Sequence, residues 1–196
     1  PYDNRLTPAL GKTPFGGAPQ QYRIIPQAGR PQFSTLTSWE SPDPNFWIPA
    51  GYAVVNLNLP GYGTSEGPPT VFSDHQAKCY YEAIEWIARQ DWCSGNVGLS
   101  GVSYLAVTQY YVASCKHYGG PPPSLKCICP WEAFSDLYRD VACPGGLEDQ
   151  GFGPFWWITE VKPALKDSPA DFIKHNGSLP MDFLKLHPYY DDFWRE

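Results

Sequence analysis

The sequence predicts an α/β fold built on a parallel sheet. Three observations carry this reading. Short apolar runs alternate with amphipathic helical stretches, turn-forming residues mark the joints, and the order along the chain is strand, helix, strand, helix, strand. Such alternation calls for right-handed crossovers that lay the strands side by side in one direction. With 196 residues, 42% of them hydrophobic, the chain is long enough to bury a sizeable core.

Residues 1–50 are rich in Pro, Gly, Ser and Thr and read as long loops, with a short helix near "PDPNFW". "YAVVNLNL" at 52–59, bounded by Gly51 and Pro60, predicts a buried strand. "PGYGTSEGPP" follows as a run of turn signals. Ser73 or Asp74 can cap a helix running through Gln90, with Ala77, Tyr80, Tyr81, Ile84 and Ala88 on one face. "NVGLSG" predicts the second strand, 104–116 the next helix, and "LKCICPW" at 125–131 the third strand. Beyond Trp131 come helical pieces, many aromatics and no convincing strand. The expected division is therefore a partial α/β core over 1–134 and a helical element over 135–196.

Several function classes are disfavoured at once. A net charge of −6 without a basic cluster argues against a nucleic-acid partner. No apolar run approaches the ~20 residues that span a bilayer, so no membrane role is expected. The cysteines at 79, 93, 115, 127, 129 and 143 form no Cys-x-x-Cys pair. They read as buried free thiols, and no metal is expected.

The chemistry concentrates in "NVGLSGVSYLAVTQYYVAS", residues 96–114. Ser103 falls at the joint between a strand and a helix. In an α/β-hydrolase that joint is a strained turn presenting the nucleophile, and small residues must surround it. Gly101 stands two before the serine. Two after it, where the generic pattern has Gly, stands Leu105, and Ala106 follows. A helix N-terminus there aims N–H groups and a positive dipole end at a developing oxyanion. The bland alternative is that Ser103 merely caps the helix. Ser100 competes by type but lies inside the strand.

"GYAVVNLNLPGYGTSEG", "YEAIEWIARQDWCSGNVGLSGVSYLAVTQYYVA", "PPSLKCICPWEAFSDLYRD" and "LHPYYDDFW" together resemble the cocaine esterase and X-prolyl dipeptidyl-peptidase family of serine hydrolases. The resemblance implies an α/β-hydrolase core followed by the start of a helical cap. It implies Ser103 as the nucleophile and the Tyr104 backbone N–H as one oxyanion donor. It implies the Tyr2 hydroxyl, in "PY", as the second donor. It also implies that Trp131 lines the acyl pocket, against a bland reading of core packing. Glu66, Asp136 and Arg139 match residues that form structural ion pairs.

A serine hydroxyl needs a base. The resemblance places the catalytic Asp and His beyond Glu196, so the chain reads as an internal fragment of a longer hydrolase. His75 falls at a helix start, and His117 lies roughly 20 Å along the elbow helix from the serine. His175 and His187 fall in the cap segment. None is expected to be the base. The implied function is cleavage of acyl esters or amides through an acyl-enzyme, without a cofactor, on a small-molecule or peptide acyl substrate. Ala106 stands where α-amino acid ester hydrolases carry an acidic residue, which disfavours that subgroup. A homo-oligomer, and the remaining part of the same hydrolase, are the partners left open. The alternative is a catalytically inactive α/β-hydrolase-like binding module.

Overall fold

The computed structural model describes residues 34–115 and 118–195. Its sheet has two strands, β1 (Val97–Val102) and β2 (Leu125–Trp131), running parallel. Val97 lies opposite Leu125. After a register shift at Gly98, the pairing runs from Gly98 opposite Cys127 to Val102 opposite Trp131. Both strands therefore end at the same level, which puts Trp131 beside the turn that follows Val102.

Helices flank this ribbon. A one-turn helix, α1 (Pro44–Trp47), is capped by the Asp43 side chain, which accepts from Asn45 N–H. The longer α2 (Asp74–Ala88) starts where the Ser73 hydroxyl accepts from Gln76 N–H, with Asp74 favourably placed in the positive first turn. It buries Ile84 completely against Leu99 of β1 and Val112 of α3 (Tyr104–Ala113), with Tyr80 and Tyr81 packed alongside. Full burial of one such side chain is worth about 1.5–3 kcal/mol, so this contact pins helix, strand and elbow helix together.

The strand expected at 52–59 is not laddered. Tyr52, Val55 and Leu57 are exposed, while Asn58 is buried. The segment keeps the in–out alternation of an extended chain, but among the described residues neither strand runs beside it. The side turned inward carries Asn56 and Asn58, a poor strand face. Asn56 spends its amide on the Ser38 hydroxyl, 3.0 Å away. Of the apolar residues that suggested burial, Tyr52, Val55 and Leu57 point outward, and Leu59 packs against the core.

Past β2 the chain is helical but broken into short pieces. A π-helical turn (Tyr138–Ala142) comes first; α4 (Phe152–Trp156) runs through another (Trp157–Val161) into α5 (Lys162–Ala164). Then come α6 (Pro169–Asn176), α7 (Phe183–Leu186) and α8 (Asp192–Arg195). Pro163 and Pro169 sit in first turns, where a missing N–H costs nothing. In α6, Ser168 and Asp171 form a reciprocal capping box, and Gly177 ends the helix at φ 78°.

The loop 60–73 sews this helical region to the α/β part. Gly63 N–H donates to Ala164 O at 2.8 Å, and Lys166 N–H to Gly61 O at 2.9 Å. The Lys166 ammonium pairs with Glu66. The Asn176 amide donates to Pro69 O and to Phe172 O, both at 2.8 Å. Behind these bonds lies one apolar cluster of Trp39, Tyr62, Val71, Tyr104, Trp156, Trp157, Val161, Ala164 and Phe172. The first residue of the elbow helix is thus also a core residue of the helical region.

Candidate active site

Ser103 has φ 58° and ψ −120°. That is the first central position of a type II′ turn, a conformation suited to glycine. A non-glycine residue held there costs of order 1–3 kcal/mol and persists only where its surroundings enforce it. Here they do. Val102 N–H donates to Glu40 O at 3.1 Å, and Ser103 N–H to Trp131 O at 2.9 Å. The Ser103 carbonyl accepts from Ala106 N–H and Val107 N–H at 2.9 and 3.0 Å, starting α3. The side chain makes no capping bond to the helix. The capping reading of Ser103 is therefore overturned. A serine that only capped would sit in the extended region with its oxygen on the first-turn N–H groups.

Gly101 is explained by what a side chain there would meet. A Cβ would lie 2.6 Å from Leu105 Cβ and 3.1 Å from Leu105 Cδ2. Leu105 occupies the space that Gly101 leaves, so the turn tolerates Leu where the generic pattern has Gly. Ala106 is fully buried behind it. Ser100 lies inside β1, opposite Cys129 and away from the turn.

Tyr104 is the first residue of α3, at the positive end of the helix dipole. Its side chain is buried, and burial pushes its phenol well above the ordinary value. The hydroxyl donates to Gln76 Oε1 at 2.5 Å and accepts from Phe72 N–H at 3.1 Å. Trp131, at the end of β2, is 60% exposed. Its indole N–H donates to Cys129 Sγ at 3.2 Å. Tyr2 and His117 lie outside the described residues.

The remaining expectations divide. Arg139 pairs with Asp136 and lies over the Tyr190 ring at 4.0 Å, and Glu66 pairs with Lys166. His75 and His175 are exposed on helices. Asp191 Oδ2 accepts a hydrogen bond from His187 Nδ1 at 2.9 Å, and the His187 ring stacks on Phe193 at 4.1 Å. The six thiols are free, but only Cys115 is buried; Cys79, Cys93 and Cys143 are half-buried, and Cys127 and Cys129 on β2 are exposed.

One feature lay beyond sequence reasoning. The non-glycine residues with positive φ among those described are Glu40, Phe72, Ser103 and Glu132. All four lie in or next to residues bonded to the elbow. Glu40 O receives Val102 N–H, Phe72 N–H binds the Tyr104 hydroxyl, and Glu132 follows Trp131, whose carbonyl receives Ser103 N–H. Strain gathered in one shell marks a functional site more often than a packing site.

A parallel sheet whose strand ends in a strained serine at a helix N-terminus defines the α/β-hydrolase class. Within it, the chain belongs to the X-Pro dipeptidyl-peptidase (S15) family, which residues 7–196 match. It is 40% identical over 147 residues to the cocaine esterase of Rhodococcus sp. (strain MB1 Bresler), covering 70% of this chain and 25% of that protein. It is 25% identical over 182 residues to the Xaa-Pro dipeptidyl-peptidase of Streptococcus pneumoniae (strain Hungary19A-6), covering 78% of this chain and 23% of that one. A crystal structure of a CocE/NonD family hydrolase from Staphylococcus aureus superposes with a TM-score of 0.68 at 41% identity, over 85% of this chain and 28% of that one. A second crystal structure of that hydrolase gives 0.69 at 36% identity, over 99% and 32%. The chain thus spans about a quarter to a third of the length of these relatives.

Proposed function

We propose that the protein is a serine hydrolase that cleaves acyl ester or amide bonds, in the manner of an esterase or an X-Pro dipeptidyl-peptidase, through an acyl-enzyme on Ser103. The observation that carries this reading is the strained φ and ψ of Ser103 with a side chain withheld from helix capping. The Ser103 hydroxyl attacks the acyl carbon as its proton passes to a general base. The carbonyl oxygen becomes an oxyanion, and the Tyr104 N–H stabilises it, joined by the Tyr2 hydroxyl. Collapse expels the alcohol or amine with a proton returned from the base. Water then repeats the sequence on the acyl-enzyme and releases the acid.

Trp131 forms a wall of the acyl pocket, and the helical region closes over it as the start of a cap. Exposure of the indole beside the turn favours this assignment. The base is a histidine oriented by an aspartate, both beyond Glu196. These steps need no cofactor.

The test is labelling of the full-length protein by a fluorophosphonate probe. Labelling that disappears in Ser103→Ala is expected. A folded protein that takes no label is instead an inactive binding module. Comparing p-nitrophenyl acyl esters with an X-Pro p-nitroanilide then separates esterase from dipeptidyl-peptidase.

A further inference from the structure

We propose that Gln76 is a positioning residue for oxyanion stabilisation. It acts through the Tyr104 hydroxyl to fix the direction of the Tyr104 backbone N–H. This inference rests on the reading of Ser103 and Tyr104 given above. Gln76 stands three residues after the Ser73 N-cap. A glutamine at that place commonly reaches back to the N-cap N–H. Here the side chain, almost fully buried, turns to the elbow 28 residues away.

The hydrogen-bond network leaves one arrangement of donors. The Thr70 carbonyl accepts from the Tyr62 hydroxyl at 2.9 Å and from Gln76 Nε2. Gln76 Nε2 is therefore the nitrogen, and Oε1 faces the Tyr104 hydroxyl. That hydroxyl must donate to Oε1, which leaves its lone pair for Phe72 N–H. Burial keeps the phenol neutral and a donor. The ring itself packs in a three-ring cluster with Phe72, tilted at 4.9 Å, and Trp156, stacked at 5.7 Å. Phe72 also stacks on Trp156 at 5.6 Å. With its ring buried against two aromatic neighbours and its far end tethered, Tyr104 is held in place at the first turn of α3. Its N–H keeps one direction before substrate arrives, the condition under which a donor stabilises charge without reorganising.

The experiment uses the full-length protein with a p-nitrophenyl ester as substrate and phenylboronic acid as a tetrahedral-adduct inhibitor. Gln76→Met removes the acceptor at similar volume, and Tyr104→Phe removes the hydroxyl but keeps ring and backbone. In each, kcat and kcat/KM are expected to fall together by ~10-fold, less than loss of a whole donor, with boronate affinity weakened to match. The double variant is expected to lose no more than either single one, since both break one bond. Wild-type kcat and boronate affinity in either folded variant overturns the proposal, as does a fully multiplicative double loss or a loss confined to KM. If Gln76→Met does not fold, Tyr104→Phe decides alone by the same criteria. Ser103→Ala keeps the two readings apart. Activity surviving in Ser103→Ala removes the nucleophile assignment and this inference with it. An inactive Ser103→Ala beside unimpaired Gln76→Met and Tyr104→Phe removes only the inference.

Discussion

The two parallel strands end alike and lead to different things. β1 ends at Val102 and is followed by Ser103 at φ 58°; β2 ends at Trp131 and is followed by Glu132 at φ 56°. The ends lie side by side, joined by the bond from Ser103 N–H to Trp131 O. After Ser103 the chain enters a ten-residue helix, with Gly101 behind the turn and a buried Tyr104 ahead of it. After Glu132 it enters a bend, and the carboxylate stands in solvent. Left-handed backbone alone therefore makes no site. What distinguishes residue 103 is a helix N-terminus directly behind its oxygen and packing that refuses any other path.

The sharpest way to break the comparison is to remove the oxygen. Ser103→Ala and Ser103→Gly are both expected to lose at least ~10³-fold in ester hydrolysis and all fluorophosphonate labelling. Equivalent loss in Glu132→Gly would erase the distinction. Crowding the turn comes next. Gly101→Ala sets a methyl into Leu105 and is expected to cost about 1–3 kcal/mol in denaturant unfolding, with labelling slowed. A third test compares relief of strain. Ser103→Gly is expected to raise stability by about 1 kcal/mol although inactive, and Glu132→Gly by no more than that. A destabilised Ser103→Gly would mean the turn is unstrained. The smallest effect is in acid. The Lys166 partner holds Glu66 below its ordinary 4.5, and the Ser168 and His187 partners hold Asp171 and Asp191 below 3.8. Each carboxylate stabilises the fold above its ordinary value, and that stabilisation is lost as pH falls through the lowered one. Near-UV circular dichroism is thus expected to report loosening of the helical region below those values while β1 and α3 persist by far-UV signal.

Much of this was legible in the residues. The elbow was, because Gly101, Ser103 and the apolar runs on either side act locally: a strand, a turn and a helix follow from spacing alone. Ser73 as a helix cap was legible for the same reason. The segment 52–59 misled because β-branched residues record a preference for extended backbone, and a ladder depends on a neighbour. Exposure of Cys127, Cys129 and Trp131 depends equally on what covers β2. Gln76 was illegible as a partner of Tyr104 because its nearest local use, capping α2, is equally good chemistry. Only the packing of α2 on α3 brings the two side chains together.

Gly101 and Leu105 share a single volume, and neither can be understood by itself. The empty place at one position is the room taken by the isobutyl group of the other, so the pair behaves as one compensating unit. An alanine at 101 would be admissible if 105 shrank to glycine, since the methyl would then enter the room the isobutyl group gave up. Lineages could cross between the two spellings through an intermediate with glycine at both places, without the serine ever leaving its perch.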